Sequence, residues 1–388
     1  MTTNIPIMKQ KLTLTVLGVL SIFIFYGMQC IFFRPGFGAH FPFMIFGSIE
    51  IGQEIATIGT NGLNLTLSMA EAKHLSSSNL LIPDFNITLE ELINGDTLAV
   101  FVTLEMINEP LSDQDVFFLE TSGHEYLNPR QICSIEAASH IYQDLHVHLF
   151  MISPVLKLTP AVAVLLTLNN VKIYHLDLGQ YFYRTPLEEW YNAETWKSSH
   201  WPVSHMSDAL RFITLFKFGG IYMDLDAIAL KALRCKNCIG RESENWVAAG
   251  VMKFEYGHQF ISDCIIELKD NFRGDIWGYN GPQLATRVLE KWCGRDKIIG
   301  KYEGFVCKGI EILPISAFYA VPWIDWKLFF IEEKSEEIVK KLIESSYVMH
   351  VWNRFSAKTP VHLSSKEPYA IIASNHCSMV VNASHPLL

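Results

Sequence analysis

The sequence predicts an α/β domain built on a largely parallel sheet, and three observations carry that expectation. Short apolar runs alternate with amphipathic stretches from about residue 115 onward, the pattern of strand–helix–strand units. Polar residues collect where two of those runs end, Glu120-Thr121-Ser122 after the first and Asp224 and Asp226 after a later one. A helical stretch over 204–218 feeds through Gly219-Gly220 straight into the run Ile221-Tyr222-Met223.

Taken in order, 116–119 is the first strand. Residues 131–143 carry Ile132, Ile135, Ala138 and Ile141 at helical spacing. Residues 146–151 form the next strand, Pro154 breaks it, and 159–169 is helical. Residues 171–176 are a third strand. Thr185 as N-cap and Pro186 at the first helical position predict a short helix through Trp190. Ala209, Phe212, Ile213 and Phe216 mark the 204–218 helix, which Gly219 ends because glycine takes the left-handed conformation of a C-cap. The second half is richer in Trp and less regular. Trp277-Gly278-Tyr279-Asn280-Gly281-Pro282-Gln283 is a loop that enters a helix over 284–292. Pro314, Pro322, Trp323 and Trp326 mark another loop, 332–345 a charged helix, and 347–353 a strand ending at a polar cluster.

Open parallel sheets bind ligands beyond the C-terminal ends of their strands, so both polar clusters belong to one expected crevice. In a strand, Asp224 and Asp226 point to one face. Two adjacent carboxylates repel, and a hard cation such as Mg²⁺ or Mn²⁺, shared with phosphate oxygens, relieves that. A solvated strand end offers the same pair without a metal. His350 fits a third ligand, or a hydrogen-bonded core histidine. Asp208 and Arg211, one turn apart, fit either a ligand contact or an intrahelical ion pair. There is no G-x-G-x-x-G and no G-x-x-x-x-G-K-[ST]. A formal charge of −9 excludes nucleic acid as a main partner.

Residues 12–33 contain no charge and are long enough to cross a bilayer of about 30 Å. Lys9 and Lys11 precede this span and predict a cytoplasmic N-terminus. Its length exceeds the apolar core of a cleaved signal peptide. The expected layout is a cytoplasmic tail 1–11, a transmembrane signal anchor 12–33, a luminal stem 34–110 and a luminal catalytic domain 111–388. Sequons at Asn64, Asn86 and Asn382, and seven cysteines beyond Cys30, suit an oxidising compartment.

Seven blocks carry a resemblance. They are Phe118-Leu119-Glu120-Thr121-Ser122, Cys133-Ser134-Ile135-Glu136-Ala137-Ala138, Ser207-Asp208-Ala209-Leu210-Arg211, Lys217 through Asp226, Trp277 through Leu284, Phe318 through Trp323, and His350-Val351-Trp352-Asn353. In this order, over about 115–380, they resemble the α-1,4-galactosyltransferases that act on lactosylceramide and the related α-1,4-N-acetylglucosaminyltransferases. The resemblance implies a GT-A fold and a type II Golgi enzyme with a luminal catalytic domain. It implies a UDP-sugar donor, Mn²⁺, and transfer with retention to the 4-hydroxyl of a terminal galactose-type sugar of a glycolipid. By the same resemblance, Asp224, Asp226 and His350 hold the metal. Glu120, Thr121 and Ser122 line the nucleotide pocket, and Asp208 and Arg211 contact the donor. Gln283 stabilises the developing charge or acts as a weak nucleophile. Trp277, Tyr279 and Trp323 stack on sugars or belong to the core. The implied disulfides are Cys133–Cys264 and Cys293–Cys307, with Cys235 and Cys238 as an addition.

Two departures bear on the donor. Leu225 stands where the resembling galactosyltransferases often have Thr, and Ala248-Ala249-Gly250 where they have an Asn-Gly pair. UDP-N-acetylgalactosamine is therefore an alternative to UDP-galactose. A DxD phosphohydrolase, whose usual Thr or Val is Ile228 here, and an inactive carbohydrate-binding protein are the other readings.

Overall fold

The computed structural model describes residues 111–298 and 304–388, Thr103 and Leu104, and the strands Ile55–Thr60, Leu63–Ser68 and Leu98–Phe101. These fall within one compact unit, Gly47–Leu388. The expected tail 1–11, anchor 12–33 and the sequon at Asn86 lie outside the described residues. Among the described residues no helix is long and apolar enough to cross a membrane.

The frame is an eight-stranded mixed sheet. Its strands in chain order are β1 (Val116–Glu120), β2 (Val147–Met151), β3 (Val171–His175), β4 (Gly220–Met223), β6 (Cys238–Arg241), β7 (Val247–Phe254), β8 (Phe305–Cys307) and β9 (Ile310–Leu313). β5 (Ala227–Ala229) instead pairs antiparallel with β10 (Val348–His350) as a separate ribbon. Across the main sheet the order is β8-β9-β6-β7-β4-β1-β2-β3, and β7 and β8 run against the rest. The upstream strands pair antiparallel with one another and with Val155–Lys157.

Every residue of β1, β2 and β4 is buried, as parallel strands covered on both faces require. Alternation along β1 divides the core. Val116 and Phe118 pack with Ile132, Cys133 and Ile135 of helix α1 (Pro129–Ile141) on one face. Phe117 and Leu119 pack with Ala209, Leu210, Phe212 and Ile213 of helix α2 (Pro202–Phe218) on the other. α1 starts with a reciprocal cap between Asn128 and Gln131, which satisfies two donors the helix leaves open.

The turn from α2 into β4 can only be glycine. Gly219 and Gly220 have φ of 70° and 89°, and a Cβ on Gly220 would lie 2.6 Å from the Asp115 carbonyl oxygen.

Several expectations change. The short helix runs Glu188–Asn192 with no side-chain cap, because the Thr185 hydroxyl donates to the Phe182 carbonyl at 2.7 Å instead. The β6–β7 hairpin and the helix α3 (Gln259–Asn271) fill a region the sequence presents as irregular. β7 is buried almost throughout, so it shows no alternation to read. Asp224 to Asp226 is a turn, not a strand, closed by the Ala227 N–H on the Asp224 carbonyl at 3.0 Å.

The disulfide Cys293–Cys307 forms. Cys133 pairs with Cys377, Cα–Cα 5.1 Å, rather than with Cys264. The reason is topological. Cys133 sits in the core on one face of the sheet and Cys264 in the core on the other. Cys264 is left as a buried thiol and Cys235 joins Cys238. Peptide mapping of the unreduced protein is expected to yield a Cys133–Cys377 fragment and no Cys133–Cys264 fragment. With 244 residues of separation, Cys377→Ser is expected to cost about 2–5 kcal/mol in denaturant unfolding.

Candidate active site

Four segments meet at the C-terminal edge of β4. α2 supplies Asp208 and Arg211, the turn after β4 supplies Asp224 and Asp226, β7 supplies Gly250, and β10 supplies His350. Ligand atoms of Asp224, Asp226 and His350 all lie within 4.8 Å of one another. His350 Nε2 is 3.3 Å from Asp226 Oδ1 and 3.7 Å from Asp224 Oδ2.

Each carboxylate is held from behind. Asp224 accepts from the Tyr222 hydroxyl at 2.6 Å, and Arg211 reaches the same Oδ1 at 3.4 Å. Its backbone N–H is fixed by the Gly250 carbonyl at 2.8 Å. Asp226 Oδ2 accepts from the Asn353 backbone N–H at 2.7 Å. That donor is aimed by Trp352, whose φ of 55° turns the chain left-handed. The Trp352 ring also packs on His350, centroids 4.6 Å apart.

The electrostatics follow from burial and pairing. Burial works to raise the Asp224 pKa, but Arg211, with help from His350 and Tyr222, holds it below the ordinary value. Burial works to lower His350, and Asp226 and Asp224 reverse it, so the imidazole holds its proton more tightly. Asp208 is lifted to about 7 by burial, with Arg211 opposing and Asp224 reinforcing.

Gly250 is an open cradle. A Cβ there would lie 2.8 Å from Asp224 Oδ2, 3.2 Å from the Tyr319 hydroxyl and 3.3 Å from His350 Nε2. Two carboxylates and an imidazole around side-chain-free space suit a divalent cation.

Glu120 is buried at the end of β1 and its Oε2 has no partner, while Oε1 accepts from the Ser122 backbone N–H at 3.0 Å. The Thr121 hydroxyl donates to the Val203 carbonyl at the start of α2, 3.4 Å away. Asp208 pairs with Arg211 at 3.4 Å and lies against Gly281. This brings the 277–283 loop to the cluster, with Gln283 in the first turn of helix α4 (Pro282–Cys293). The stacking candidates differ. Arg354 lies over Trp277 at 3.6 Å and Arg287 over Tyr279 at 3.9 Å, so one face of each is covered. Trp323 stacks on Phe355 and is not drawn into the cluster.

The sequence reading missed four contributors. Tyr222, Tyr319 and Asn353 lie inside the blocks quoted above, but residue type alone does not assign the hydrogen bonds of Tyr222 and the Asn353 backbone or the packing of Tyr319 on His350. Glu242, just past β6, is raised by burial, and its charge bears on both His350 and Tyr319. In sequence, Arg241-Glu242-Ser243-Glu244 has the look of an ordinary charged turn.

A second His/Asp group, Asp115, His146 and His148, sits at the opposite end of the sheet. His148 Nε2 is 3.1 Å from Asp115 Oδ2, and its buried Nδ1 has no partner. Both Asp115 oxygens already accept backbone N–H groups, Oδ2 from Ser112 at 3.0 Å and Oδ1 from His146 at 3.2 Å. A donated Nε2–H leaves only a bare lone pair, so this group is a structural staple.

Comparison with known proteins agrees with the site. Residues 253–384 match the alpha 1,4-glycosyltransferase conserved region, and residues 130–246 match the glycosyltransferase sugar-binding region containing the DXD motif. The lactosylceramide 4-alpha-galactosyltransferase of Homo sapiens is 36% identical over 269 residues, 68% of this chain and 75% of the relative. That of Mus musculus is 36% identical over 271 residues, 68% of this chain and 74% of the relative. The alpha-1,4-N-acetylglucosaminyltransferase of Homo sapiens is 29% identical over 250 residues, 62% of this chain and 72% of the relative. Among solved structures, the PaToxG glycosyltransferase gives a TM-score of 0.36 at 17% identity, over 47% of this chain and 70% of that one. The galactosyltransferase LgtC gives 0.30 at 9% identity, over 53% and 74%. Neither score is high enough to bear on the fold. The sequence relatives decide the matter: the chain is a hexosyltransferase and belongs to the α-1,4-glycosyltransferase family that includes the lactosylceramide 4-alpha-galactosyltransferases.

Proposed function

We propose that this enzyme is a retaining α-1,4-glycosyltransferase of GT-A type. It moves galactose from UDP-galactose to the 4-hydroxyl of a terminal galactose-type residue on a glycosphingolipid such as lactosylceramide. The observation that carries the reading is the Asp224–Asp226–His350 group beside the fixed cation Arg211. UDP-N-acetylgalactosamine is the alternative donor. Ala248 and Ala249 present only methyl groups next to Gly250, which removes the polar side chain of the resembling enzymes.

Asp224, Asp226 and His350 would hold Mn²⁺, which when bound offsets the charge that develops on the diphosphate as UDP departs. Arg211 adds a positive charge that needs no reorganisation, because Asp208 and Asp224 already orient it. The unpartnered Glu120 Oε2 suits a hydroxyl or N–H donor of the nucleotide. Gln283, on the loop that packs against Asp208, offers a neutral dipole to a developing oxocarbenium charge. We place the enzyme in the Golgi membrane with its catalytic domain luminal, supported by the uncharged span 12–33, Lys9 and Lys11 before it, and the sequons beyond it.

The test is turnover by the full-length protein from a secretory host, with either donor, soluble and lipid-borne β-galactoside acceptors, and Mn²⁺ or chelator. Transfer from one donor, abolished by chelation and reduced about 100-fold or more in Asp226→Ala, is expected. Donor consumption that ignores chelator, or no transfer at all, contradicts the proposal.

Gly250→Ala is expected to lower kcat/KM on the order of tenfold or more, because its methyl group enters the space between Asp224, Tyr319 and His350. Circular dichroism should remain unchanged, which separates loss of the cradle from loss of the fold.

A further inference from the structure

Trp323, Ile324 and Phe355 form an apolar rim beside the metal cluster that the chemistry above does not use. Their exposures are 46%, 70% and 41%. Trp323 and Phe355 stack on each other with centroids 5.6 Å apart. The rim is tied to the cluster by short links. Phe355 N–H donates to the Trp352 carbonyl at 2.8 Å, and the Trp352 indole N–H donates to the Val321 carbonyl at 2.8 Å. Trp352 itself packs on His350. Exposed Lys327 and Lys358 lie three residues beyond Ile324 and Phe355, with Asp325 the acidic residue among them, while Arg354 is already drawn onto Trp277.

We propose that this rim rests on the lipid surface that displays the acceptor, an inference that depends on the glycolipid reading above. The headgroup of a short glycolipid holds its terminal sugar close to the bilayer, so an enzyme acting there must bring the edge of its crevice to the membrane. Trp and Phe beside an aliphatic tip, with lysines able to extend to the headgroups, is the composition of an interfacial contact. A sugar platform fits less well. Ile324 has no ring face, and Trp323 and Phe355 cover each other.

Two measurements test it with the full-length chain. The first needs no transfer. Tryptophan emission is recorded with phosphatidylcholine vesicles, plain or brominated. Wild type should lose more emission to bromine than Trp323→Phe, and equal losses in the two overturn the proposal. The second compares turnover of a vesicle-borne glycolipid with that of a soluble β-galactoside. Ile324→Ser/Phe355→Ser is expected to slow the former on the order of tenfold and leave the latter unchanged. An equal fall on both acceptors assigns the rim to sugar binding and overturns the proposal, as does no fall on either. A dimer seen in sedimentation and lost in the double variant assigns it to a second copy, with the same consequence. If the wild type transfers to no acceptor, the proposed function fails while the emission difference still decides the rim.

Discussion

The repulsion between Asp224 and Asp226 is the constraint around which this molecule is arranged. Two carboxylates one residue apart in a turn would separate in a free chain. Here they are held within reach of one imidazole, and every neighbour serves that placement. Arg211 supplies charge, Tyr222 and the Asn353 backbone supply donors, and the Gly250 carbonyl fixes the turn. Asp226 and Asp224 make the His350 imidazole hold its proton more tightly, and a bound metal would displace that proton.

The sheet makes this possible. α2 must end and β4 begin with no intervening loop, so that Arg211 and Asp224 face each other across one short connection. Gly219 and Gly220 allow it through conformations closed to other residues. β10 then brings His350 from over a hundred residues away by pairing with β5, with His350 opposite Ala227. A buried ring packed against both Trp352 and Tyr319, which also pack on each other, has little freedom to leave. Arg130 steadies the following turn, donating to the Ser356 carbonyl and hydroxyl at 2.7 Å each.

Much of this was legible in the sequence. The strands β1 to β4 and the helix ahead of the aspartates follow from periodicity, and Gly219-Gly220 from backbone chemistry. The metal candidates came from residue type and position at a strand end, although the turn, not strand alternation, unites them. What stayed hidden has common causes. β7 lacks alternation because both its faces are covered. Glu242 gains its role from burial, which a short charged segment does not reveal. The partner of Cys133 depends on which face of the sheet each cysteine reaches, and resemblance alone misplaced it.

Binding of Mn²⁺, followed by electron paramagnetic resonance on the full-length protein with and without UDP, tests whether Asp224, Asp226 and His350 hold the metal. One Mn²⁺ per chain is expected in the presence of UDP, released in the isosteric Asp226→Asn and in His350→Gln while the fold persists. Equal binding by wild type and both variants would contradict it, because the metal would then lie elsewhere.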